Sequence, residues 1–492
     1  MNRYIKLFSL AGCALGFVAF HACTNLEEEV YDQIPQGEFG KNQEQLDALV
    51  GPLFGSLADY FGHYAALNTA TDEQVIPTRG GDWKDGDQWK RVQQHDWNAQ
   101  LDDNLFNGLW TFCYNNITSI NQQLDNELIT SELTKAQLRA LRAFYHYVAM
   151  DNFGNVIIAD GQSSDTPEQS SRAEVYNFIE QELLTVLPNL PTDVVASYGR
   201  TNKYVAHMIL AKLYLNAEVY TGTAQWEKAK AQCDSIINSN AYGLSGDFFS
   251  NFAVRNQDSP EIILAAPMDA SARGGMNIQM RTLHYQSQLT YNLPQAPWNG
   301  YCTLAEFYNS FEEGDTRKQM WLVGQQYTAT GDSIYDEGVP LAFTVTIPDF
   351  TMSAGPTARI AGARSVKYQI QANPPGTDQS NDFVIFRLAD VYMMRGEAKF
   401  RLGDMAGAME DINYVRERRG VEGFSTLTAD DILAERGREF AWEYHRRQDL
   451  IRFGRFTDAW EFKPASTEAR ELYPIPQSQI NLNPKLKQNP GY

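Results

Sequence analysis

Two stretches of this chain echo each other across a long separation. AKLYLNAEVYTGTAQWEKAKAQCDSIINS (211–239) and ADVYMMRGEAKFRLGDMAGAMEDINYVRERR (389–419) each run Ala, two residues, Tyr, then a Gly-marked turn, then an Ala-spaced second segment. Small residues at facing positions let paired helices approach closely. Stacked pairs of this kind bury a core that no single pair can bury alone. No clean period covers the chain, so the pattern predicts a divergent and interrupted repeat scaffold of the tetratricopeptide type.

Apolar spacing extends that reading. It predicts helix from near Gln43 toward Tyr60, then over Asp102–Asn126, Thr134–Phe153, Ser171–Leu187, Asn202–Tyr220 and Trp226–Asn238. Further helices are expected over Val384–Leu402, Asp404–Arg419 and Ala429–Trp442. Residues 71–100 carry few aliphatics, several Gly and Asp, and three tryptophans, which predicts a long irregular segment. Long ordered loops in a compact fold tend to carry function. Residues 241–380 are rich in Gly, Pro, Asn and Ser, with short apolar alternations at Glu261–Ala265 and Leu341–Ile347, and read as a loop-and-strand region. The tail, 471–492, holds four prolines and reads as extended surface chain.

The first residues read as an address. Arg3 and Lys6 precede an almost wholly apolar run, Leu7–Phe20, too short for a comfortable membrane span. Cys13 fits a lipoprotein box by its letters, but Cys23 stands where the apolar run ends and is the preferred lipidation site. Residues 1–22 are then a signal peptide, 23–40 a lipidated N-terminus and tether, and 41–492 the folded domain. More than one acyl chain on Cys23 is needed for stable anchoring. Thr24-Asn25-Leu26 and the acidic Glu27-Glu28-Glu29 follow it.

Charge narrows the partners. Lys and Arg total 41 against 61 Asp and Glu, a net charge of −20. That excess argues against nucleic acid, whose binders present clustered cations to phosphate. Cys113, Cys233 and Cys302 show no metal spacing and cannot close a disulfide framework. No P-loop, HExxH or GxSxG is present, and Asp82, Asp85 and Asp87 lack the glutamate that completes a calcium loop. The charged run from Glu435 to Arg452 offers carboxylates, but Glu435–Arg438 and Glu443–Arg447 have the spacing of an intrahelical ion-pair ladder. No catalytic residue, cofactor or metal ligand is therefore assigned.

Several segments match one family. RLADVYMMRGEAKFRLGD (387–404), GREFAWEYHRRQDLIRFGRF (437–456) and YPIPQSQINLNPKLKQNPGY (473–492) resemble, in order, characteristic segments of the SusD/RagB family. LRALRAFYHYVAMDNFGNVII (138–158), GRTNKYVAHMILAKLYLNAEVY (199–220) and EGDTRKQMWLVG (313–324) resemble others. Tyr444 and His445 depart from the usual Glu-Gly, and His146 stands in an aromatic slot. The resemblance implies a mainly α, tetratricopeptide-like SusD fold with a loop-rich, strand-poor second region. It also implies a surface lipoprotein of the outer membrane that binds an oligosaccharide or polysaccharide beside a SusC-like TonB-dependent transporter, without catalysis. RagB-type relatives leave a peptide-binding or mainly structural lid as the alternative.

Sugar rings present apolar C–H faces and polar edges, so a glycan site needs flat aromatic platforms with a few placed polar groups. Two regions supply them: Asp72, Arg79, Asp82, Trp83 and Trp89 in the first long loop, and Tyr291, Trp298, Asn299 and Tyr301, followed by Trp321, in the second half. Trp97, Trp110, Trp226, Trp442 and Trp460 read instead as packing residues.

Overall fold

The computed structural model describes residues 43–162, 166–272 and 274–492. The expected signal peptide, Cys23 and the tether to residue 40 lie outside the described residues. Its helices are α1 (Gln43–Gly55), α2 (Ala58–Leu67), α3 (Asp103–Leu124), α4 (Glu132–Phe153), α5 (Arg172–Val186), α6 (Lys203–Leu215), α7 (Trp226–Ile237), α8 (Leu388–Arg401), α9 (Met405–Arg416) and α10 (Ala429–Phe440), with shorter turns between. From α2 to α9 each helix packs on the next, and α7 meets α8 although some 150 residues separate them in sequence. The repeat therefore continues across the interruption.

Local chemistry sets the helix ends. Ser131 accepts from the Thr134 N–H at the start of α4, and Ser171 and Glu174 form a reciprocal capping box at α5. Thr428 and Asp431 do the same at α10. The sequence echo becomes contact at α8 and α9: a Cβ on Gly396 would lie 2.8 Å from Ile412 Cγ1, so only glycine permits this approach. Ala389, Met393, Ala408, Ile412 and Val415 form the buried seam between these helices.

Three expectations are corrected. The segment read as helix from Val384 opens as a strand, β2 (Phe383–Arg387), paired antiparallel with β1 (Ile262–Ala266). All five β2 residues are buried, which erases the alternation that would have marked a strand. Residues 71–100 are not wholly irregular, since a six-residue helix runs over Gln88–Gln93. The tail is not loose surface chain: Tyr473 and Ile475 are fully buried, and Asn489 donates to the carbonyls of Phe153 and Tyr473.

The ion-pair ladder is also more than intrahelical. Glu435–Arg438 forms as spaced, at 2.7 Å, but Glu443 turns to Arg387 and Lys367, while Arg447 pairs with Asp151. Glu439 meets Arg317 at 3.0 Å, Arg387 at 2.7 Å and Arg419 at 2.8 Å, all buried. These pairs tie the loop-rich half, through Asp315, Arg317 and Lys367, to α10 and its flanks. Burial pushes the Glu439 carboxyl up, but Arg419, Arg387 and Arg317 outweigh it and hold the group well below its usual range.

Candidate functional site

The loop after the short strand Thr78–Arg79 bends through unusual backbone: Gly80, Trp83, Asp85, Gly86 and Asp87 all have positive φ. A bulky residue such as Trp83, at φ 57, pays for that conformation only where its surroundings over-determine it. Here they do. Trp83 Nε1 donates to the Trp298 carbonyl at 2.7 Å. Its ring lies on the bare backbone of Gly300 and meets the edge of Tyr301 at 5.4 Å between centroids. Two further bonds pin the loop: the Tyr285 hydroxyl donates to Asp82, and Trp89 Nε1 donates to Asp85 Oδ2 at 2.6 Å. Trp89 sits 6.1 Å from Trp83.

Trp83, Trp89 and Tyr285 are half-buried, while Asp82, Lys84, Asp85 and Asp87 are exposed around them. The result is a partly open aromatic surface rimmed by carboxylates, of which Asp82 and Asp85 each keep acceptor capacity beyond their one aromatic donor. Burial, and then Asp82, push the Tyr285 hydroxyl up to about 12, so it stays a donor at neutral pH.

The ten expected residues divide. Asp82, Trp83 and Trp89 converge; Trp298 contributes its carbonyl to Trp83, while its ring packs, with Tyr291, on Met280, Leu283 and Leu293. Asn299, at φ 55, is fully buried and its amide makes no well-formed hydrogen bond. Tyr301 is buried beneath Trp83, its hydroxyl accepting from Arg281 at 2.8 Å. Arg79 is buried too, donating to the carbonyls of Ala358 and Ala361, and burial lowers its pKa. Asp72 lies elsewhere, accepting from Arg446 at 2.6 Å. Trp321 is a core residue, 5% exposed, with its ring edge-on to Phe307, Phe311 and Trp442.

Sequence reasoning missed Tyr285 and Gly300. The first sits among scattered aromatics with no Gly or Asp beside it to suggest a loop. The second stands in Trp298-Asn299-Gly300-Tyr301, where its lack of a Cβ was a usable signal. Among the described residues no group of three His, Cys, Asp or Glu side chains could hold a metal ion. Nor is any helix there long and apolar enough to cross a membrane.

Comparison with known proteins decides the family. Residues 358–464 and 454–492 match the SusD family, and residues 27–215 match the family described as "Starch-binding associating with outer membrane". The chain belongs to the SusD/RagB family. It is 29% identical over 412 residues to the starch-binding protein SusD of Bacteroides thetaiotaomicron, covering 73% of this chain and 72% of that one. A SusD-like protein of Bacteroides ovatus is 25% identical over 92% of this chain and 83% of its own length. Among solved structures, surface glycan-binding protein A from Bacteroides uniformis superposes with a TM-score of 0.74 at 20% identity, covering 91% of this SusD-family chain and 99% of its own. The Bacteroides thetaiotaomicron protein of that name, solved with laminarihexaose, gives 0.73 at 20% identity, over 91% and 99% of the two chains. The helical SusD-like fold is thereby established.

Proposed function

We propose that this protein captures an oligosaccharide at the cell surface and delivers it to a SusC-like TonB-dependent transporter in the outer membrane, to which a lipid on Cys23 tethers it. The observation that carries the reading is the Trp83–Trp89–Tyr285 surface. Its rings are held by hydrogen bonds to one backbone carbonyl and two carboxylates, so little ordering remains when a sugar stacks. The names of relatives that bind starch or laminarihexaose support the same ligand class. Binding involves no covalent step. The carboxylates of α10 that could suggest hydrolysis are committed to arginines in the interior.

Affinity gel retardation of residues 24–492 across plant, microbial and host polysaccharides tests this. Retardation by one or two related glycans, lost in Trp83→Ala with an unchanged melting temperature, is the expected result. A Trp83→Ala protein retarded as strongly as the parent would remove this surface as the site.

A further inference from the structure

A second aromatic surface stands at the end of the same scaffold. Three short ribbons, 324–328, 332–336 and 339–343, meet in a triangle of backbone hydrogen bonds. Gln326 N donates to Leu341 O at 2.8 Å, Leu341 N to Ile334 O at 2.9 Å, and Ile334 N to Gln326 O at 3.0 Å. The pairing is antiparallel throughout: Tyr327 opposes Ser333, Tyr335 opposes Pro340, and Gln325 opposes Ala342. Because side chains alternate along a strand, the triangle has two distinct faces. One is core, with Ile334, Leu341 and Phe343 at 3% exposure or less. The other presents Gln325, Tyr327, Ser333, Tyr335 and Pro340.

On that outer face Tyr327 is 50% exposed and Tyr335 58% exposed. Tyr335 stands two residues from Ser333, the residue that Tyr327 opposes, so both rings rise from the same face beside the triangle. These five residues are uncharged, while exposed Asp332 and Glu337 lie at the ribbon ends. An uncharged, polar and aromatic face fits a polyhydroxyl chain: its rings offer stacking surface and its hydroxyls offer donors and acceptors, with no ion to desolvate.

This face is joined to the Trp83 surface by contact. Asp336, the residue after Tyr335, accepts from Arg359 at 3.1 Å, and that guanidinium lies 5.7 Å over the Tyr285 ring. Tyr285 in turn holds Asp82 beside Trp83. On the other side, Thr290 Oγ1 donates to the Tyr327 carbonyl at 2.8 Å, and Ala329 N donates to the Leu289 carbonyl at 2.9 Å. The segment 285–291 thus carries the first surface at one end and braces the second at the other.

We infer that Tyr327 and Tyr335 form a second glycan platform, which engages polysaccharides long enough to leave the Trp83 surface. This rests on the glycan reading above, and it makes the preferred ligand a polymer. Two linked contacts on one chain raise avidity through effective concentration, so the gain depends on ligand length.

The test compares the parent, Tyr327→Ala/Tyr335→Ala and Trp83→Ala. The ligands are the polysaccharide that retards the parent and a short oligosaccharide of the same linkage, with binding measured by calorimetry and by gel retardation. The tyrosine pair is expected to weaken polysaccharide binding at least tenfold and to leave the oligosaccharide within twofold of the parent. Trp83→Ala is expected to weaken both. If the tyrosine variant binds the polymer like the parent, the platform is refuted while the Trp83 site stands. If Trp83→Ala binds both ligands like the parent, the underlying reading fails instead. Circular dichroism of the tyrosine variant checks that the triangle is intact, and a Tyr335→Phe variant, which keeps the ring, is expected to keep polymer binding.

Discussion

Gly300 is the residue whose substitution tests the site most sharply, because it changes no ligand contact of its own. A Cβ built there lies 2.3 Å from Trp83 Cε2, 2.4 Å from Cζ2 and 2.8 Å from Cδ2. Carbon atoms rest near 3.5–4.0 Å, so in Gly300→Ala the indole retreats by roughly 1 Å or more. Its Nε1 bond to the Trp298 carbonyl, now 2.7 Å, then stretches past useful length. Losing that pin and the Tyr301 edge contact costs about 1–2 kcal/mol of positioning. On a glycan that stacks on Trp83 this appears as roughly 5–30-fold weaker binding. Calorimetry with the retarding glycan measures it, and near-ultraviolet circular dichroism reports the moved indole without any ligand. Gly81→Ala is the control, since a Cβ there meets nothing within 4 Å. A Gly300→Ala protein with parental dichroism and parental affinity would show that Trp83 does not rest on this backbone, and the argument for a preformed platform would fall.

Two other predictions follow from burial. Trp321→Ala should destabilise by about 3–5 kcal/mol in urea unfolding, as expected for an aromatic removed from a core, whereas Trp83→Ala should change stability little; equal losses would return Trp321 to the surface. Stability should also fall on acidification in two stages. His284 and His445, lowered to about 3 chiefly by burial, refuse protons that the unfolded chain accepts below about 6.5, so stability is lost as pH falls through that interval. Glu435, held at about 2 by Arg317 and Arg438 against the push of burial, stabilises fully above the ordinary carboxylate range and loses that contribution as pH falls from about 4.5 toward 2. Glu73, raised to about 8 mainly by burial, acts in the opposite sense and loses stability between about 4.5 and 8, so Glu73→Gln should flatten the alkaline side of the profile. A stability that rises between pH 6.5 and 4 in that variant would contradict the assignment.

What the sequence disclosed and what it hid follow from the range of the interactions. Helix periodicity and the small-residue echo are local, and the seam at Gly396 and Ile412 lies where the echo places it. β2 is buried on both faces, and only Arg387 stands between its apolar run and that of α8, so apolar spacing alone does not separate them. The aromatic surface is harder still. Trp83 and Trp89 were legible because Gly and Asp neighbours announce a loop. The support of Trp83 comes from Trp298 and Gly300, more than 200 residues away, through a carbonyl and a missing Cβ that no periodicity encodes. Trp321 shows the converse error. It follows charged residues and reads as exposed, yet Arg317 is itself fully buried in the ion network and carries the adjoining chain inward. The same interior pairs that mislead a reading of charge are what bind the loop-rich half to the helices. The Tyr327–Tyr335 surface rises from that half and the Trp83 loop rests on it through Trp298 and Tyr285, so the geometry of both depends on a network that touches no ligand.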